Sequence, residues 1–236
     1  MEPPGDLMGY DRAITLFNPD GRILQVEYAK RTVSLGLSAV GLTGKNCIVF
    51  VADRKAHELE KLIISESIEK IFQIDSHMVA AISGMIADGR TLIDKAQNNA
   101  QEYKMTYNQP ADILLIVKGI SAEMQALTQY GGARPFGVSI LFGGIKGDKT
   151  YLYMLDPSGS FFQYKAIAIG GNSEVINKTL EKEYKPDMTA EELTNLGMRA
   201  IKSDESKNSP ERFEVAVIDK NGFRKLSKEE ITKYIK

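Results

Sequence analysis

Residues 143–150 read Gly-Gly-Ile-Lys-Gly-Asp-Lys-Thr, one substitution short of the phosphate-cradling spacing G-x-x-x-x-G-K-[ST]. That pattern needs a glycine before Lys149 so that the backbone can approach the phosphates, and Asp148 stands there with a charge that repels them. The segment also runs into a strand pattern at Thr150, not into a helix whose N-terminus could hold an anion. It reads as a polar turn. Gly170-Gly171-Asn172-Ser173 joins a strand pattern to a helix pattern, where a capping turn is the commoner use of such residues than an anion site. Nucleophile triads need a histidine near the nucleophile. His57 lies in the charged stretch 55–61, His77 falls at a turn, and Cys47 sits in an apolar run typical of an inert core thiol. No G-x-S-x-G is present, and the carboxylate pairs Glu58/Glu60 and Glu191/Glu192 lie on charged, solvated faces. From residue types and spacing alone no catalytic set emerges.

Composition narrows the classes further. The chain has 236 residues, 30 Lys+Arg against 31 Asp+Glu, and a formal net charge of −1, so it carries no global basic footprint for nucleic acid or membrane. One cysteine rules out an intrachain disulfide or a cysteine metal cluster, and two histidines leave almost no scope for a histidine metal site. No cofactor is expected. No apolar run approaches the roughly 18–20 residues of a membrane helix. The acidic, Pro-rich start Met1–Asp6 is unlike a signal peptide, and with the lone thiol it suggests a cytoplasmic protein.

The elements that would position any site read as two repeats of strands followed by paired helices. Residues 1–12 hold Pro3, Pro4, Gly5 and Gly9 without periodicity and read as a mobile arm, leaving 13–236 as one domain. Asn18-Pro19-Asp20-Gly21 is a turn, and Asp20 is placed to cap a helix over Arg22–Thr32 with Ile23, Val26, Ala29 and Val33 on one face. Strands are expected at Val33–Leu42, Cys47–Ala52, Ile71–Ile74 and Met78–Ser83. A helix follows from Ile86 to Tyr103, then another opened by Pro110, carrying Ile113 to Leu127 and closed by Tyr130-Gly131-Gly132. Strands return at Phe136–Phe142, Thr150–Asp156 and Phe161–Ile169, the last two joined by the turn Asp156-Pro157-Ser158-Gly159. Helices are expected over Ser173–Tyr184 and after the capping box Thr189-x-x-Glu192. Phe213–Asp219 turns at Asn221-Gly222 into Phe223–Leu226, and Ser227-x-x-Glu230 caps a terminal helix. Hairpin-like pairs outnumber βαβ units, which favours an α+β fold with antiparallel sheets and helices in layers.

One stretch is far more specific. Residues 10–29, from Tyr10-Asp11-Arg12-Ala13-Ile14-Thr15 through Asn18-Pro19-Asp20-Gly21-Arg22 to Gln25-Val26-Glu27-Tyr28-Ala29, resemble the signature of 20S proteasome α-subunits, most closely the archaeal type. The resemblance continues at Ser67-Ile68-Glu69-Lys70-Ile71, Ser83–Arg90, Thr128–Ser139, Asp156–Gly159 and Tyr164–Gly170. It implies a four-layer αββα sandwich of the N-terminal-nucleophile hydrolase type. It also implies a non-catalytic role: seven copies forming an outer ring, templating β-subunit rings that hold the proteolytic threonines, gating the access of unfolded protein substrates, and docking the C-termini of an activator ATPase ring. A rival is an active threonine peptidase of the same fold; a second is a scaffold ring that never meets β-subunits. An N-terminal nucleophile must be the first residue, because its own amino group is the base. Here a whole helix precedes the first strand, and Thr32-Val33 follows Lys30-Arg31 without a Gly-Thr processing junction.

Roles carry over at matching positions. Tyr10, Asp11, Pro19 and Tyr28 match the cluster by which neighbouring α-subunits hold the gate open. Lys70 matches the lysine that meets the terminal carboxylate of an activator, Gly84 and Met85 match the wall of that pocket, and Glu27, counted with these docking residues, matches a carboxylate in the gate region. Tyr130, Gly131 and Gly132 match the loop lining the constriction beneath it. Without the resemblance, Lys70 reads as a solvated strand-end lysine. Lys30-Arg31-Thr32, Gly89 and Gly119 depart from the family pattern, the glycines at about 1 kcal/mol each in helix propensity.

Overall fold

The computed structural model describes residues 15–54, 62, 64, 67–202 and 209–235; the expected arm at 1–12 lies outside them. Two antiparallel five-stranded sheets form the centre. One comprises β1 (Ala39–Gly44), β2 (Cys47–Asp53), β8 (Ala166–Ile169), β9 (Phe213–Asp219) and β10 (Gly222–Lys225), in the order β10-β9-β2-β1-β8. The other runs β3 (Ile71–Asp75), β4 (Met78–Gly84), β5 (Val138–Lys146), β6 (Lys149–Leu155), β7 (Phe161–Gln163) in chain order.

Alternation along the strands divides the core into three slabs. Even-numbered β4 residues Met78, Ala80 and Ile82 face helices α2 (Ile86–Tyr107) and α3 (Ile113–Leu127), with Leu92, Ala96, Ile116 and Ile120. Val40, Leu42, Val49 and Val51 face α4 (Ser173–Glu183) and α5 (Ala190–Ile201), with Leu180, Leu193 and Leu196. Between the sheets lie Ile48, Phe50, Val79, Ala81, Leu141 and Ile218. The result is the expected αββα order, and β2 is buried along its whole length because both of its faces are covered. Gly143 on β5 makes room for this middle slab: a Cβ there would lie 2.6 Å from the Phe50 ring. Gly89 likewise lets α2 settle onto Ile82, whose Cδ1 would lie 2.6 Å from an added Cβ. No helix among the described residues is long and apolar enough to cross a membrane.

Several expected boundaries move. Val33–Leu42 is not one strand: helix α1 (Leu24–Leu35) continues through Val33, which is buried four residues beyond Ala29, and Gly36 turns extended to end it. Asp20 is not the cap. The N-cap is Ile23, which bridges Phe17, while the Asn18 side chain accepts the Arg22 N–H at 2.8 Å across the turn. Helix α3 starts after Pro110, because the Asp112 carboxylate accepts the Leu114 N–H at 3.0 Å and caps it. Its end is Thr128, ahead of Tyr130-Gly131-Gly132, so no left-handed glycine closes it. The run Phe161–Ile169 divides into β7 and β8, each on an edge of a different sheet. The capping boxes at Thr189/Glu192 and Ser227/Glu230 both form, the second starting the short α6 (Lys228–Thr232).

Candidate functional site

Three of the four expected docking residues, Lys70, Gly84 and Met85, lie where the connection between α1 and β1 crosses the starts of β3 and β5; the fourth, Glu27, pairs instead with Arg22 and Lys30. Lys70 stands just before β3. Its side chain is not solvated: the residue is 4% exposed. Its ammonium donates to three backbone carbonyls, Leu37 at 2.6 Å, Ser38 at 3.2 Å and Asp53 at 3.2 Å. Ser83, the neighbour of Gly84, donates its hydroxyl to the same Leu37 carbonyl at 2.7 Å. Lys70, Ser83 and Gly84 therefore share the short segment 36–38.

Two ion pairs frame this nest, one buried on both sides and one between a buried carboxylate and an exposed lysine. Arg212 grips Asp53 through both oxygens, Nε at 3.1 Å and Nη2 at 2.8 Å. Glu214 accepts the backbone N–H groups of Lys70 at 2.9 Å and Ile71 at 3.3 Å through one oxygen, and the Lys225 ammonium at 2.6 Å through the other. Lys225 also pairs with Glu69. Burial works against the Lys225 ammonium, but Glu214 and Glu69 hold it above the usual lysine range. For Lys70 burial wins: it lowers the amine to about 7, against the opposing pull of Asp53 and Glu214.

Gly84 and Met85 continue from β4 into α2. Gly84 has φ +115°, and a Cβ on it would lie 2.3 Å from the Gly137 carbonyl, which accepts the Met85 N–H at 2.8 Å. Met85 is 40% exposed. Its sulfur lies 3.2 Å from Arg134, which bonds Asp88 bidentately at 2.6 and 2.8 Å. Asp88 also accepts the Gly137 N–H at 2.8 Å. Burial raises the Asp88 carboxyl, but the Arg134 and Gly137 hydrogen bonds outweigh it and leave it below the usual range. A carboxyl depressed by folding contributes stability above its unfolded pKa of about 3.9 and loses it as pH falls through the folded value. Asp88→Asn is therefore expected to destabilise the chain by about 1–3 kcal/mol at neutral pH, with the difference from wild type shrinking as pH falls below about 4 through the lowered folded value. Thermal unfolding from pH 2 to 8 measures both.

The described gate and pore positions, Pro19, Tyr28 and Tyr130–Gly132, make none of the contacts of this nest. Pro19 is exposed in the turn before α1, and Tyr28 is 51% exposed on that helix. Glu27, one residue earlier, pairs with Lys30 at 3.5 Å and Arg22 at 4.0 Å. Tyr130 is 64% exposed, and Gly131 and Gly132 have open space where side chains would stand. Tyr10, Asp11 and His57 lie outside the described residues. Thr32 is inside α1 with its hydroxyl bonded to the Tyr28 carbonyl at 3.1 Å. Cys47 is buried, and burial raises its thiol. His77 bonds the Ala111 carbonyl at 2.8 Å. Of residues 143–150, expected as a polar turn, only 147 and 148 turn the chain; 143–146 belong to β5, with Gly143 and Gly144 buried, and 149–150 to β6. At the start of α4, Asn172 is the N-cap residue but gives no side-chain cap.

Sequence reasoning missed Asp53, Arg212, Glu214 and Lys225. Asp53 and Arg212 stand 159 positions apart, and Lys70 and Glu214 stand 144 apart, so no local spacing links them. The one available signal was a charge near the end of a mostly apolar strand, Asp53 closing Cys47–Asp53 and Glu214 second in Phe213–Asp219.

Comparison with known proteins gives a consistent answer. The family model described as "Proteasome subunit" matches residues 33–218, and the model of the N-terminal signature of A-type proteasome subunits matches residues 10–31. The chain is 47% identical over 230 residues to the proteasome alpha subunit of Pyrococcus abyssi, covering 96% of this chain and 87% of that one. It is 44% identical over 237 residues to the protein of the same name from Methanocaldococcus jannaschii, covering 100% and 89%. The Methanosarcina acetivorans protein of that name is 42% identical over 231 residues, covering 97% and 93%.

Proposed function

This chain belongs to the proteasome subunit family as an α-type subunit of the 20S core, and from that premise we propose that it is a non-catalytic subunit of a seven-membered outer ring that templates β-rings, gates substrate access and docks an activator. The observation that carries the reading is the α-type signature over residues 10–31. Its described part builds the Phe17–Ile23 bridge and the exposed face of α1. A non-catalytic role is supported by Thr32, whose hydroxyl is tied into a helix instead of heading a strand. Docking is supported by the convergence of Lys70, Gly84 and Met85 on one corner of the fold. A terminal carboxylate buried between subunits needs a cation, and a charge-assisted contact contributes about 1.5–3 kcal/mol, or roughly 10–150-fold in affinity.

The test uses α/β particles whose assembly is verified by native mass spectrometry. Lys70→Ala is expected to abolish stimulation by peptides carrying an activator-type C-terminus, a hydrophobic residue, a tyrosine and a final residue with its free carboxylate. Deleting residues 2–12 is expected to raise degradation of long peptides without activator. A wild-type response in Lys70→Ala particles refutes docking, unchanged long-peptide degradation after the deletion refutes gating, and a purely monomeric chain at micromolar concentration refutes the ring.

A further inference from the structure

The charges around Lys70 divide unevenly. Asp53, at the end of β2, is gripped by Arg212 through both oxygens. Glu214, on β9, accepts the Lys225 ammonium on one oxygen at 2.6 Å and the backbone N–H groups of Lys70 and Ile71 on the other. Lys225 also holds Glu69. Asp53 and Glu214 both touch Lys70, the first through its carbonyl at 3.2 Å and the second through the main-chain bond at 2.9 Å. Yet among the described residues the Lys70 ammonium donates to neutral oxygens, the carbonyls of Leu37, Ser38 and Asp53. Two of those carbonyls have a second donor: the Ser83 hydroxyl on Leu37 at 2.7 Å, and the Asp53 N–H on Ser38 at 3.0 Å. Lys70 can therefore turn an N–H to another acceptor without leaving either carbonyl as a buried orphan.

We propose that Arg212 and Lys225 are positioning residues that set the specificity of the docking corner: each holds a carboxylate of this chain away from the Lys70 ammonium, so that the carboxylate completing it comes from the docked C-terminus. The inference rests on the docking reading above. An ammonium held by neutral carbonyls gains by exchanging one of them for an anion, because an ionised hydrogen bond is about twice as strong as a neutral one. Asp53 or Glu214 would meet that demand from inside if its own cation were removed, since both residues already touch Lys70. An internal pair also needs no second molecule to be ordered, so it outcompetes a peptide. Glu214 is the sharper case. It is buried, whereas its partner Lys225 is exposed on the edge strand β10, so one surface side chain decides which anion Lys70 meets.

The test measures binding of an N-acetylated peptide with an activator-type free C-terminus, and of its C-terminal amide, to rings whose assembly is verified by native mass spectrometry. It is run at pH 6, below the value of about 7 to which burial lowers Lys70, so that the side chain is an ammonium. Wild type is expected to favour the free carboxylate by roughly 10–150-fold. Lys225→Gln keeps a donor for Glu214 but removes the charge, and should cut that preference to less than about threefold. Adding Glu214→Gln removes the competing carboxylate, keeps an oxygen for the Lys70 and Ile71 N–H groups, and should restore the preference. A merely supporting role for Lys225 gives no such recovery. Lys225→Arg alone and Glu214→Gln alone should both retain it. An undiminished preference in Lys225→Gln, a Lys225→Gln chain that forms no ring, no recovery in the double variant, or loss of preference in Glu214→Gln alone overturns the proposal and leaves docking standing. If wild type binds the free-carboxylate peptide no better than its amide, docking and proposal fall together.

Discussion

Phe50→Ala is expected to destabilise the fold by about 3–5 kcal/mol, the range for deleting a fully buried aromatic ring. Phe50 is 0% exposed and lies in the slab between the two sheets, where no helix can shift to fill the space. Its ring occupies the volume left by Gly143 on the opposite sheet. Gly143→Ala alone drives a Cβ to within 2.6 Å of that ring and should destabilise by about 1–3 kcal/mol through overpacking. In the Phe50→Ala background the same methyl enters vacated space, so the double variant should be clearly more stable than the sum of the two losses. Chemical denaturation of the four chains at one protein concentration measures the coupling, and additivity within about 0.5 kcal/mol would show that ring and glycine do not share the space.

Gly84→Ala should destabilise by about 2–5 kcal/mol, combining two separate penalties. A side chain at φ +115° is strained whatever surrounds it, at about 1–3 kcal/mol. The new methyl would also lie 2.3 Å from the Gly137 carbonyl and 3.1 Å from Val138 Cα. Since that carbonyl accepts the Met85 N–H, relief by separation breaks the join between β4 and the approach to β5. Thermal unfolding gives the total, and hydrogen exchange at the Met85 amide reports whether the join has opened. A variant within about 0.5 kcal/mol of wild type with a protected Met85 amide would show that the close approach is absent.

Features that a few neighbouring residues decide were legible in the sequence. Both capping boxes form because their donors and acceptors lie three positions apart. The continuous apolar run Cys47–Ala52 required a doubly covered strand and is one. Val33–Leu42 was ambiguous because Val33, Leu35, Leu37 and Ala39 fit a period of two, while Val33 also completes the α1 face with Val26 and Ala29. Helix packing settled it. Phe161–Ile169 is apolar enough to continue as a strand, and nothing local says that Tyr164 and Lys165 carry the chain from one sheet to the other. The candidate site was legible only through its resemblance to a family. The Lys70 nest is made of backbone carbonyls, which every residue has, so its composition leaves no mark in the sequence. Asp53 and Glu214 could not be tied to it without knowing that β2 and β9 are neighbours.

The passage from β7 to β8 sets an order of events during synthesis. The chain makes β1 and β2 first, then all five strands of the other sheet, and only then returns with β8, β9 and β10. Until it does, the first sheet is a lone hairpin, marginal in water, with both edges unpaired. Ala39 waits for Ile169, and Cys47 waits for Asp219. At about 5–20 residues per second the second interval lasts on the order of ten seconds or more on a translating ribosome. The β3–β7 sheet with α2 and α3 has no such dependence, because its strands pair in chain order. A nascent chain arrested after β7 should therefore protect that half from protease while β1 and β2 remain open to chaperones and to each other's copies. The earliest strands to be made are the last to be sealed, and the seal is supplied by the closing third of the chain.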